Sequence, residues 1–120
     1  MQSIEDLQKA ALEGSQSWLA FVDMSNFDES WNHAATLFKS VVSQEQWRAS
    51  LEAAQKPMGK AVSRAFKSAQ YAEELPGAPD GKYFVIEYET AFEQKKRGTE
   101  TVVLMMDKDE QWRVSGYFIK

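Results

Sequence analysis

Between Gly81 and Ile119 apolar and polar residues alternate in three segments separated by short charged stretches. A period of two sends successive side chains to opposite faces, so the stretch predicts an antiparallel β-meander with one buried face. In the first segment Phe84, Ile86, Tyr88 and Phe92 hold even positions, with Glu87, Glu89 and Glu93 between them. Lys95, Lys96, Arg97 and Gly98 read as a charged turn. The run Thr101 to Met106 is apolar at nearly every position, the pattern of a strand covered on both faces or of one whose outer face meets another chain. Asp107 to Glu110 reads as the next turn, after which Trp112, Val114 and Phe118 alternate with Arg113, Ser115 and Tyr117.

A sheet with one apolar face needs a cover, and the first half of the chain supplies one. Ile4, Leu7, Ala11, Trp18 and Val22 recur at helical spacing, so one amphipathic helix is predicted from Ser3 to about Met24, with Ser3 and Asp6 as its capping pair and Gly14 as a weak point. Ser25, Asn26 and Asp28 offer cap oxygens to a second helix, whose stripe is Trp31, Ala34, Ala35, Phe38 and Val42. Ser43 and Gln46 form a capping box for a third, which carries Trp47, Leu51 and Ala54 and stops at Pro57 and Gly59. From Ala61 to Tyr71 apolar residues occur at both parities, which predicts a bulged strand; the alanines and Lys67 make helix the competing reading. Leu75-Pro76-Gly77-Ala78-Pro79-Asp80-Gly81 then forbids regular structure and forms a loop.

The expected architecture is therefore α+β: three N-terminal helices packed on one face of a curved antiparallel sheet of about four strands, in a single domain over residues 1–120. By element order alone this is the architecture of the cystatin-like and nuclear-transport-factor-2-like folds, in which helices and sheet enclose a cone.

At residue level the chain resembles a narrower group. Trp18-Leu19 with Asp23, Ser30-Trp31, Val42-Ser43 with Gln46-Trp47, and Pro57-Met58-Gly59 with Ser63-Arg64 carry the likeness in the first half. Leu75 to Gly81, Thr90-Ala91-Phe92, Lys96, Glu100-Thr101 and Gln111-Trp112-Arg113-Val114-Ser115-Gly116-Tyr117 carry it in the second, the last being the most specific. These motifs resemble a bacterial family of small, often exported domains of unknown function. The resemblance implies the α+β fold and a periplasmic or secreted location, and brings no activity with it. Glu110 departs from it, since the turn there usually holds Gly; a strained turn is expected, because Glu resists positive φ.

Composition narrows the function classes. With 14 basic and 18 acidic side chains and no basic stripe, the chain lacks the electrostatic footprint of a nucleic-acid partner. No apolar run reaches the roughly 20 residues of a membrane-spanning helix, and no signal peptide is visible. With no Cys in the sequence, disulfides, thiol nucleophiles and thiolate metal sites drop out together. His33, the one imidazole, lies away from the apolar stripe of its helix and reads as solvated. Asp107, Asp109 and Glu110 lack the glycine and distal Glu of a calcium loop. Neither a metal nor a cofactor is expected.

The candidate site residues come from strand parity. Arg64 shares the parity of Val62 and Phe66; on an inner face its guanidinium must be paired or must bind an anion, and pairing with Asp23 or Asp28 is favoured. Tyr88 and Thr90 fall on that inner face and offer hydroxyls. With Asp23 and Trp47 they make up the candidate ligand pocket, although Trp18, Trp31 and Trp47 read first as core. Glu87, Glu89 and Glu93, facing out, are expected to pair across strands with Arg113 or Lys95. On the outer face Val103, Met105, Tyr117 and Ile119, with Tyr83 and Val85, are expected to form an apolar patch through which two copies associate. The leading functional expectation is a non-catalytic binding or interaction domain, for a small ligand in the cone or for a protein partner on the sheet. The alternatives are a cofactor-independent isomerase or dehydratase built on Arg64, Tyr88 and Asp23, and a structural homodimer module. An open space between helices and sheet would favour the enzyme, and a filled one would oppose it.

Overall fold

In the computed structural model, which describes residues 3–120, the chain runs α1 (Ile4–Asp23), α2 (Phe27–Asn32), α3 (Thr36–Val41), α4 (Gln44–Gln55), β1 (Ala61–Ala72), β2 (Tyr83–Phe92), β3 (Lys95–Met106) and β4 (Trp112–Ile119). The strands form one antiparallel sheet in sequence order, so each pairs with its neighbour in the chain. Helices followed by a four-stranded curved sheet make the expected α+β fold. None of the described helices is long and apolar enough to cross a membrane.

Local chemistry explains the helix starts. The Ser3 and Ser43 hydroxyls accept the N–H groups of Asp6 and Gln46, and the side chains of those residues reach back to the serine N–H. Both predicted capping boxes are therefore present. The single second helix of the sequence reading is two short ones. The chain leaves helix at His33 because the N–H of Ala35 is drawn away to the carbonyl of Val114 on β4, at 2.8 Å. Helix α3 restarts beside that edge, held by Asp107, whose carboxylate accepts both the N–H and the hydroxyl of Thr36 at 2.9 Å. Burial pushes the Asp107 carboxyl up, but these donors, the Lys108 N–H and Arg113 outweigh it and hold the group below its ordinary value.

Helix α1 lies across the inner face and touches all four strands. Leu7, Ala11, Trp18, Leu19 and Val22 meet Phe84, Ile86, Tyr88, Val102, Leu104 and Val114, all of them buried. Gly14, expected to be a weak point, is where α1 comes closest: a β-carbon there would lie 3.3 Å from Leu104 Cδ2 and 3.4 Å from the Trp112 carbonyl oxygen. Of the three helical tryptophans, Trp18 and Trp47 are core and Trp31, half-buried, packs against it. Trp18 N–H donates to the Ser30 carbonyl at 2.8 Å, Trp47 N–H to the Ser30 hydroxyl at 2.9 Å and Trp31 N–H to the Val42 carbonyl at 2.8 Å.

Bulges, one of them expected in β1, correct the facing of Val62, Tyr117, Phe118 and Ile119. In β1 register shifts at Ala61/Ser63 and Phe66/Ser68 account for apolar residues at both parities. They leave Val62 on the outside, 70% exposed, although Arg64 and Phe66 sit opposite the inward Thr90 and Tyr88. In β4 the shift between Val103 and Leu104 reverses parity within the strand. Val114 stays buried, but from Gly116 onward Phe118 points outward at 60% exposure, while Tyr117 and Ile119 turn in towards the helices. The outward placement expected for Tyr117 and Ile119 is thus overturned, because residues opposite one another in a ladder share a face and Ile119 pairs with the buried Glu100.

The stretch Lys95 to Gly98 is strand, the turn falling at Glu93 and Gln94 instead. Gly98 pairs near Thr90 with the ring of Phe92 laid over it, so a β-carbon there would come within 2.7 Å of that ring. Glu87 accepts from the Ser68 hydroxyl and Glu93 from the Lys60 N–H. Arg113 is taken by Asp107 and Asp109, so it does not bridge to the β2 glutamates as expected.

In the β3–β4 turn Glu110 adopts φ of +65°, as the departure from Gly predicted. A non-glycine residue in the left-handed region costs about 1–2 kcal/mol. Glu110→Gly should therefore raise stability by about 1 kcal/mol despite glycine's greater freedom when unfolded, measured as a rise in the urea midpoint with an unchanged slope.

Candidate functional site

A carboxylate at inner parity lies buried on the inner face of the sheet. Glu100 on β3 is 1% exposed and shares its face with Val102 and Leu104. Burying a charge is costly unless it is paired and fully hydrogen-bonded, and here it is both. One oxygen, Oε1, accepts from Arg64 Nε at 2.6 Å and from the Thr90 hydroxyl at 2.5 Å. The other, Oε2, accepts from Arg64 Nη2 at 3.3 Å and from the Tyr117 hydroxyl. Each donor comes from a different strand: Arg64 from β1, Thr90 from β2 and Tyr117 from β4.

The far edge of the Arg64 guanidinium is used as fully. Its Nη1 and Nη2 donate to the two carboxylate oxygens of Asp23, at the end of α1, both at 2.9 Å. The planar fork thus joins the helical layer to the sheet through two carboxylates. Burial on its own would make Arg64 easier to deprotonate, but its hydrogen bonds to Asp23 and Glu100 outweigh that and push its pKa above the ordinary arginine value. Burial, then the charge of Glu100, pushes the Tyr117 phenol far above its usual value and keeps it a donor. Deeper in, the Tyr88 hydroxyl meets that of Ser15 at 2.6 Å. Because Ser15 donates to the Leu12 carbonyl at 2.7 Å, Tyr88 is the donor of that pair. Among the described residues no buried side-chain nitrogen or oxygen lacks a hydrogen-bond partner.

Of the residues named from sequence, Arg64, Asp23 and Thr90 come together around Glu100, with Tyr88 beside them on the same face. Trp47 does not join them, since its ring packs against Trp18 and Phe38 in the core. The pairing of Arg64 with Asp23 is as expected. Glu100 was missed, and Tyr117, expected on the outer face, instead joins the cluster. Glu100 carries the even parity of Val102 and Leu104, a signal present in the sequence, whereas a bulge conceals the direction of Tyr117.

Above this cluster, towards solvent, opens a cavity of about 360 Å³. Its walls are the ends of α1 and α4 and the Gly59–Ala61 entry to β1; Asp23, Glu100 and Tyr117 reach it from the cluster, and Phe27 and Phe92 supply apolar floor. Exposed Lys56 and Lys60 stand at its rim. A second concavity, of about 420 Å³, lies on the outer face between α3, the Leu75–Pro79 loop and the sheet, lined by Val41, Val85, Val103 and Phe118.

The model of one protein family, a protein of unknown function (DUF4019), matches residues 14–117. That span is most of the chain, so the chain belongs to this family, in keeping with its resemblance to domains of unknown function. No curated protein and no solved structure matches it.

Proposed function

We propose that this member of the DUF4019 family is a non-catalytic binding domain that takes a small ligand in the cavity above the Arg64–Glu100 cluster. The observation that carries the reading is saturation of the buried groups: Arg64, Glu100, Thr90 and Tyr117 spend their hydrogen bonds within the cluster, with Asp23 held in a two-pronged pair by Arg64, directly below an open cavity with apolar floor. A general base needs a free lone pair within reach of a substrate proton, and a nucleophile needs a base beside it. The cluster offers rigid walls instead, which is what a preformed pocket requires. The filling of the space below by Trp18, Leu19, Trp47 and Tyr88 weighs against the isomerase or dehydratase reading. The element order shared with cystatin-like and nuclear-transport-factor-2-like folds supports a site between helices and sheet by analogy.

The test is a fragment screen by nuclear magnetic resonance on labelled protein. Hits that shift Val22, Phe27, Phe92 and Tyr117 together bear the proposal out. Hits clustering only on Val85, Val103 and Phe118 would refute it.

Those outer residues favour a second reading, self-association through the sheet. Val103 and Met105 face outward, and with Tyr117 and Ile119 turned inward, the exposed Phe118 and Val41 complete an apolar surface in their place. Sedimentation at micromolar concentration should show a dimer that Val103→Glu dissociates. A monomer unaffected by that change would exclude it.

A further inference from the structure

Hydrogen-bond polarity sets the kind of ligand the cavity above Arg64 can hold. Around its floor every strong donor is turned inward: Arg64 to Asp23 and Glu100, and Tyr117 to Glu100. Of the groups that remain facing the cavity, the carboxylates of Asp23, Glu52 and Glu93 accept, while the donors of Lys56 and Lys60 stand on long exposed side chains. An ionised carboxylate has about four acceptor positions; Arg64 occupies one on each oxygen of Asp23, and this partly exposed side chain lines the cavity. Glu52, exposed on α4, adds a carboxylate from the opposite wall.

Two helix ends add to this. Both α1, of 20 residues, and α4, of 12, finish at the cavity, neither with a basic residue in its last turn, although the exposed Lys56 is the C-cap of α4. A helix C-terminus carries roughly half a negative charge on its last carbonyls, and cations are favoured there. The ammonium groups of Lys56 and Lys60 are on exposed side chains at the rim, at the ends of flexible stems, whereas the acceptors are fixed. Below the acceptors lie Val22, Phe27, Phe92 and the ring of Tyr117, suited to an apolar body.

We infer that the cavity binds an organic cation, a primary amine carried on a small apolar or aromatic body, with the ammonium held between Asp23 and Glu52 and the body resting on Phe27, Phe92 and Tyr117. The inference rests on the reading of this cavity as the binding site. It goes further by giving the ligand a charge and a shape.

Three probes of one shape separate the two ideas: 2-phenylethylamine, 2-phenylethanol and phenylacetate, each titrated at neutral pH into the labelled full chain. The expected result is that the amine shifts Phe92 and Tyr117 and binds about tenfold more tightly than the alcohol, equivalent to about 1.4 kcal/mol, with phenylacetate weakest. Glu52→Gln, on an exposed helix face, should weaken the amine several-fold and leave the alcohol unchanged. Should the alcohol or phenylacetate bind at the cavity as tightly as the amine, the cation assignment is overturned while the site itself stands. If none of the three shifts these residues at millimolar concentration, both the assignment and the site fall. Equal amine affinity in Glu52→Gln would likewise overturn the placement of the ammonium.

Discussion

Arg64→Ala should unfold at a much lower temperature than the parent chain, with a loss of stability on the order of 3–5 kcal/mol. The physical reason lies on the Glu100 side more than on the Asp23 side. Asp23, with a side chain 36% exposed, can recruit water once Arg64 is gone. Glu100, at 1%, cannot. Its carboxylate would keep Thr90 and Tyr117 as donors but lose the cation it is paired with, leaving an uncompensated charge in the core. Arg64→Lys should recover only part of the loss, because a single ammonium cannot span two carboxylates as a planar fork does. Equilibrium urea unfolding reads both variants, and a midpoint for Arg64→Ala within about 0.5 kcal/mol of the parent would show that Arg64 is held for something other than stability.

The second large effect is expected at Phe84. Its ring is fully buried and packs against Tyr71 on β1 and Trp112 at the start of β4, with centroids 5.3 Å away in both cases. One side chain thus helps to tie both edge strands to the centre of the sheet. Phe84→Ala removes it and leaves a cavity that those two rings cannot collapse to fill, at a cost of about 3–5 kcal/mol. Phe118→Ala is the informative contrast. A strictly alternating β4 would make Phe118 an inner residue with a similarly large effect; in the structure it is 60% exposed and should cost well under 1 kcal/mol. Comparable losses at the two positions would mean that the register shift in β4 is wrong.

That contrast also shows where the sequence is legible. Alternation in β2 places Phe84, Ile86, Tyr88 and Thr90 on the inner face correctly, because the paired part of that strand carries no bulge until its end. The helix starts are legible because Ser3 with Asp6 and Ser43 with Gln46 are local chemistry, independent of the rest of the chain. Parity fails past a bulge, since one extra residue sends every later side chain to the other face. Hence Tyr117, Phe118 and Ile119 are misread while Val114, before the shift, is not. The break between α2 and α3 fails for another reason. It depends on Ala35 bonding to Val114, a contact between residues 79 positions apart in the chain that no local pattern records.

For the candidate site, the inward arginine and its helical partner are legible. An Arg at inner parity must be paired, and Asp23 follows the apolar stripe of α1. The second carboxylate was readable from Glu100, Val102 and Leu104 sharing one parity, but a glutamate next to a lysine- and arginine-rich stretch reads first as surface. Asp107 is similar: within a run of charged turn residues it looks solvated, and only the tertiary contact with Thr36 reveals it as the anchor of α3.

The most direct test of the closed polar cluster is a double-mutant cycle between Arg64 and Glu100, read by urea unfolding of the parent, Arg64→Ala, Glu100→Ala and the double variant. Arg64→Ala leaves the buried Glu100 without its counter-charge, Glu100→Ala leaves the inner edge of Arg64 without its acceptor while Asp23 still holds the outer edge, and the double change leaves neither group. The predicted result is strong non-additivity, with the double variant more stable than the sum of the single losses implies by about 1–3 kcal/mol. Additive losses, agreeing within about 0.5 kcal/mol, would show that Arg64 and Glu100 do not depend on each other, and would contradict the account of the cluster as one mutually satisfied unit beneath the cavity.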